Sequence, residues 1–155
     1  MLYQIKEITP EERHWLLVAV AQILIADHVY ENSEKDFFED MMKQIFHREA
    51  AEMGEDIKKI LDGTSLAPIE SFTIDNPKHL VVFLDVLSAA VYASGKMLHS
   101  ESLKFFEAGT CLGFAPGTLS YRLNLEGEHV RAQKKLSSFR QQLEDELHQK
   151  AKVKP

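Results

Sequence analysis

The chain has 155 residues, 45% of them hydrophobic, and a formal charge of −6. That is enough apolar material for one domain with its own core, needing neither a disulfide nor a metal to fold. The acidic balance excludes bulk attraction to nucleic acid or anionic lipid, and a single cysteine excludes an internal disulfide. The longest apolar run, Trp15 to Ala26, is interrupted by Gln22 and preceded by Glu11 and Glu12. It falls short of the about 20 residues that cross a bilayer, and a signal peptide would carry positive charge before it. The expectation is a single cytoplasmic domain over residues 1–155, with no nucleic-acid partner and no direct membrane insertion.

In chain order, the first helix begins at Thr9-Pro10. Thr9 is an N-cap, Pro10 suits the first helical position, and Glu12 completes a capping box. From Trp15 to Ile25 the helix is apolar nearly all round, the signature of a buried helix. Its β-branched residues raise the alternative of a buried strand, but the length from Pro10 to Ala26 and the caps belong to a helix. A short break, Asp27 to Asn32, precedes an amphipathic helix that starts near Ser33. Phe37, Phe38, Met41, Met42 and Ile45 lie on one face of it. Glu49 to Leu61 reads as a further helix with Gly54 as its weak point. Ser65 to Asp75 reads as a loop with room for one helical turn.

Asn76-Pro77 then restarts the pattern at an offset of 67 residues. The same offset pairs Leu17 with Leu84, Ala26 with Ala93, Glu34 with Glu101, and Phe38 with Phe105. His79 occupies the position of Glu12. Leu80 to Leu87 form a second apolar run, taken as buried on the same grounds as the first. The break from Ser94 to His99 leads to a second outer helix near Ser100, with Leu103, Phe105, Phe106 and Leu112 as its apolar face. Such self-similarity predicts an all-α, compact helical bundle made of two pseudo-symmetric helical hairpins plus a long C-terminal helix. The repeat units span about 9–47 and 76–114.

The last helix runs from about 116 to 149. Leu119, Leu123, Val130, Leu136, Phe139, Leu143 and Leu147 mark its apolar stripe, and Gly127 is a place for it to kink or divide. The first reading folds this stripe back on the body. The alternative pairs Leu136, Phe139, Leu143 and Leu147 with a protein partner or a second copy. Gly113 to Gly117 lacks the lysine and spacing of a phosphate loop and reads as a turn between helices. Cys111 reads as an inert, buried thiol.

The two breaks carry a family pattern. Ala26-Asp27-His28-Val29-Tyr30-Glu31-Asn32-Ser33-Glu34 resembles the Ala-Asp-Gly-x-Ile-x-x-x-Glu signature of the tellurite-resistance TerB-like family. Ala93 to Glu101 is similar to the second copy that such proteins carry. A related module is the N-terminal domain of a DnaJ-like co-chaperone. The resemblance covers roughly residues 9–115 and implies paired helical hairpins whose acidic turns hold a divalent metal. On this chain the acids are Asp27 and Glu34 from the first turn and Glu101 from the second, with Glu31 as a further carboxylate. Ser94 stands where the second aspartate belongs, which removes one oxygen ligand of a Ca²⁺, Mn²⁺ or Mg²⁺ site. His28 stands where the first glycine belongs, and its nitrogen would favour Zn²⁺. The non-metal reading is local: Glu34 suits the first turn of a helix, and Asp27 bonds turn amides. The first turn is not an EF-hand, because the twelfth position from Asp27 is Phe38.

The function expected from these features is a non-enzymatic binding or regulatory module, linked to a divalent metal and to stress or tellurite resistance. The alternatives are a metal-dependent hydrolase using the acidic turns, or a scaffold that oligomerises through its last helix. A hydrolase needs a full ligand set, an open coordination position and a base, and the sequence offers half of that.

Overall fold

The computed structural model describes residues 8–26, 32–46 and 68–153. Within them the chain is all-α. The helices are α1 (Pro10–Leu24), α2 (Asn32–Phe46), α3 (Pro77–Val91), α4 (His99–Cys111) and α5 (Pro116–Val153). No strand occurs among the described residues. The expected helix from Glu49 to Leu61 lies outside them.

The 67-residue offset carries over into the helix boundaries. It maps both ends of α1 onto both ends of α3, and the first residue of α2 onto the first of α4. Local chemistry explains the starts. Thr9 Oγ1 accepts from the Glu12 N–H at 3.1 Å, and a Glu12 carboxylate oxygen accepts from the Thr9 N–H at 3.4 Å. Two of the amide donors left over at a helix start are thereby satisfied. Asn76 caps α3 by accepting from the Lys78 N–H at 3.0 Å.

His79 has a different task from Glu12. Its Nδ1 lies 2.8 Å from the second Glu12 oxygen, and both side chains are buried. The two equivalent positions of the repeat therefore touch each other, and the N-terminal ends of α1 and α3 meet there. A buried polar contact of this kind fixes which way the inner helices face each other, since any slip would bury each group without the other.

The inner helices are not equally enclosed. Every residue of α1 from Trp15 to Leu24 is buried, Gln22 included. The all-round apolar character of α3 predicts the same, yet Val81 is exposed and Leu80 and Val82 are only partly covered. The difference is local and not a lack of neighbours: α1 packs against α2, α3 and α4, and α3 against all four other described helices, but Leu80 to Val82 near the start of α3 are left incompletely covered. The outer helices bury Phe38, Met41, Phe105, Ala108 and Leu112. Leu103, expected on the apolar face of α4, is exposed instead. The buried face of α4 runs through Glu101, Ser102, Phe105, Ala108 and Gly109, and Leu103 lies opposite Phe105 on the helix.

Residues 68–76 form a strap without regular secondary structure, the loop expected for that stretch, and no helical turn occurs among its described residues. Glu70 C=O accepts from Trp15 Nε1 at 2.8 Å, and the Phe72 N–H donates to Cys111 C=O at 3.0 Å. Trp15 stacks between Phe72 and Phe83, with ring centroids 6.0 and 6.1 Å away. These hydrogen bonds tie the strap to α1 and α4 at Glu70 and Phe72.

Candidate interaction surface on the last helix

α4 ends in a Schellman turn. Gly113 has φ +95°, its N–H donates to Thr110 C=O, and the Phe114 N–H donates to Gly109 C=O. Pro116 then starts α5, which runs unbroken for 38 residues. At 1.5 Å per residue the helix is about 57 Å long.

Its first half is fastened to the body at four places. Leu119 is fully buried against Gly109, where a methyl group would lie 2.3 Å from a Leu119 carbon. Arg122 donates to Asp85 of α3 and to Glu126, both at 3.0 Å. Gly127 allows close approach of the Tyr92 hydroxyl, which a β-carbon would meet at 2.6 Å. Lys134 Nζ donates to Gly95 C=O in the turn after α3. Gly127 was a candidate kink. It is a contact point instead, and the helix passes through it without a break.

From residue 131 to residue 150 every side chain is exposed. Leu136 is 49% exposed, Phe139 60%, Leu143 42% and Leu147 57%. The expected folding back onto the body does not occur. The cause lies in the helical register. At about 100° per residue, Leu119, Leu123, Val130 and Lys134 share the face that meets the body. Leu136, Phe139, Leu143 and Leu147 share an arc of about 80° centred roughly 150° away from it. The seven apolar positions read as one stripe are two stripes on different faces. Leu125 belongs to the second stripe and is likewise exposed.

The acidic turns are only partly within the described residues. Asp27 and Glu31 lie outside them, as does the side chain of Glu34. Glu101 is fully buried in the first turn of α4. Ser94 Oγ donates to Lys96 C=O at 3.2 Å, which ties it into its own turn. Gly95, the counterpart of His28, has φ +92°. Among the described residues no three His, Cys, Asp or Glu side chains come together as a metal-binding group.

Two further features were not foreseen. One is a concavity of about 500 Å³ beside the strap, lined by His14, Trp15, Val18, Glu70 and Phe72 among others. The other is the setting of Cys111, expected as a buried thiol and found half-buried, whose Sγ lies 3.6 Å from Ile69 C=O. Burial pushes the Cys111 thiol up from its ordinary value, the negative Glu107 adds to this, and a hydrogen bond with Ser71 partly opposes it. A thiol held protonated is a poor nucleophile. No described helix is long and apolar enough to cross a membrane.

These features define an all-α bundle of two repeated hairpins carrying a projecting helix. Comparison with protein-family profiles, with curated proteins and with solved structures found no match.

Proposed function

We propose that this chain is a non-catalytic binding module that holds a protein along the outer half of α5, with the two hairpins as the body that aims it. The observation that carries this is the exposed row Leu136, Phe139, Leu143 and Leu147 on a helix anchored at its other end. A lone helix in water has little stability of its own. Its stripe of large apolar side chains gains most by being covered, and contiguous exposed apolar surface marks interaction sites. The occupant argued for below is a second copy of the chain.

The experiment is photo-crosslinking in cells, with a photoreactive phenylalanine analogue at position 139 and the same analogue at the exposed Tyr121. A single dominant protein adduct from position 139, with none from position 121, is the expected result. No protein adduct from position 139 would remove the proposal.

A metal-linked role is the second reading. It draws on Glu101, a fully buried carboxylate beside the second turn, and on the turn pattern, which also carries the link to stress or tellurite resistance. Calorimetric titration with Ca²⁺, Mn²⁺, Mg²⁺ and Zn²⁺ tests it. Binding that disappears in Asp27→Ala and in Glu34→Ala supports it, and binding unchanged by both substitutions ends it.

A further inference from the structure

Resting on the binding-module reading above, we infer that the outer half of α5 pairs antiparallel with the same segment of a second copy, in a register centred near residue 141. The inference comes from the exposed apolar seam together with the charges that flank it.

On the helix surface the seam has two flanks. One carries Lys135 and Glu146, and the other carries Arg140 and Glu144. All four are exposed. Along the seam, from Arg131 to Leu147, basic residues come first and acids last: no Asp or Glu occurs between Glu128 and Glu144, and Glu144, Asp145 and Glu146 follow in succession, with Lys150 and Lys152 beyond the seam. Such segregation makes the segment complementary to its own reverse.

Antiparallel pairing places Leu136 opposite Leu147 of the second copy, and Phe139 opposite Leu143. The same register sets Lys135 level with Glu146 of the second copy on one flank and Arg140 level with Glu144 on the other. Symmetry repeats each pair, so all four flanking charges find opposite partners. Parallel pairing does the reverse. A flanking residue then meets the residue five further on in the other chain, which sets Lys135 against Arg140. Like charges so placed select against that orientation.

The length of the projection fits. In this register Val153, the last residue of α5, comes level with Val130 of the second copy, one turn before that helix makes its last contact with its body at Lys134. The two projecting halves overlap along their whole length, and the bodies lie at opposite ends of the pair. The contact is isologous, as two-fold dimers require. It also uses the face of α5 that points away from the hairpins, so neither body obstructs it.

Sedimentation of the full-length chain across a concentration series tests the pairing, with an expected monomer–dimer equilibrium in the micromolar range. Phe139→Ala weakens association at least ~10-fold, as truncation of a central aromatic anchor does. Lys135→Glu alone and Glu146→Lys alone each weaken it by about 5–10-fold, since an attraction becomes a repulsion at two symmetric places. The doubly exchanged chain, Lys135→Glu with Glu146→Lys, recovers the original affinity. The two positions lie eleven residues apart, too far to interact within one helix, so recovery reports the contact between copies.

Orientation is read by spin labels on Val153→Cys in a Cys111→Ser background. About 35 Å between labels is expected for the antiparallel pair, against about 10 Å for a parallel one. A chain that stays monomeric at high micromolar concentration, a doubly exchanged chain that fails to recover, or labels about 10 Å apart overturns the inference. If the purified chain is monomeric while position 139 crosslinks to a different protein, self-pairing fails and the binding-module reading stands. If neither pairing nor crosslinking occurs, both fail.

Discussion

The two halves of α5 are one continuous helix, yet one half is part of the core and the other packs against no other element among the described residues. The inner half presents Leu119, Leu123 and Arg122 to α3 and α4. The outer half presents four large apolar residues to solvent. Composition does not separate them, because both halves mix leucines with charges. What separates them is the angle of the apolar residues about the helix axis relative to a body that ends near residue 134. A stripe contributes to folding only where something lies under it.

Substitutions in the two halves should therefore differ in kind. The largest expected effect is Leu119→Ala, which removes a fully buried side chain from the joint between α4 and α5. Chemical denaturation should record a loss of about 2–5 kcal/mol. Gly109→Ala comes next. Alanine favours a helix by about 1 kcal/mol over glycine, but its methyl group lands on Leu119 at 2.3 Å, in a region with no spare room. A net loss of about 1–3 kcal/mol is expected. A stabilised Gly109→Ala chain would show that the joint is looser than its geometry.

Arg122→Ala should cost about 1–3 kcal/mol, because it takes from the buried Glu126 its ion-pair partner and from Asp85 its link to α5. The cost should fall when Glu126→Gln is added, which a double-mutant cycle measures.

The Cys111 contribution is smaller and appears only in alkali. The folded thiol titrates above the unfolded one, so between the two values the unfolded chain has lost a proton that the folded chain keeps. Stability should be at its full value below the unfolded thiol's pKa and fall as pH rises through the folded one. Thermal melts of Cys111→Ala should lack that part of the alkaline decline.

The smallest effect on folding belongs to the outer half. Phe139→Ala, measured in dilute solution where the chain is a monomer, should change stability by no more than about 0.5 kcal/mol. The same substitution should act strongly on association. A large loss of monomer stability would erase the contrast between the two halves.

Sequence pattern carried the architecture a long way. The capping box at Thr9 and Glu12, the prolines that open α1, α3 and α5, and the 67-residue offset are local or repetitive signals. Helix boundaries follow such signals because they depend on neighbours three and four residues away. Much less of the surface was legible. Leu103 and Val81 look like core residues in the sequence, and both are exposed, because periodicity says which residues share a face but not what that face meets. The strap's bonds to Trp15 and Cys111 had no signal, since a loop tied down by distant groups has no period of its own.

By itself, then, the sequence determined that the chain is helical, that it repeats, and where most of the described helices begin. Only the tertiary structure decided that Glu12 and His79, equivalent by repeat, touch each other, and that the seven apolar positions of the α5 stripe divide into a set facing the body and an exposed set. The reason is geometric. Caps and periodicity are properties of a few consecutive residues, whereas burial depends on the direction from which another part of the chain arrives.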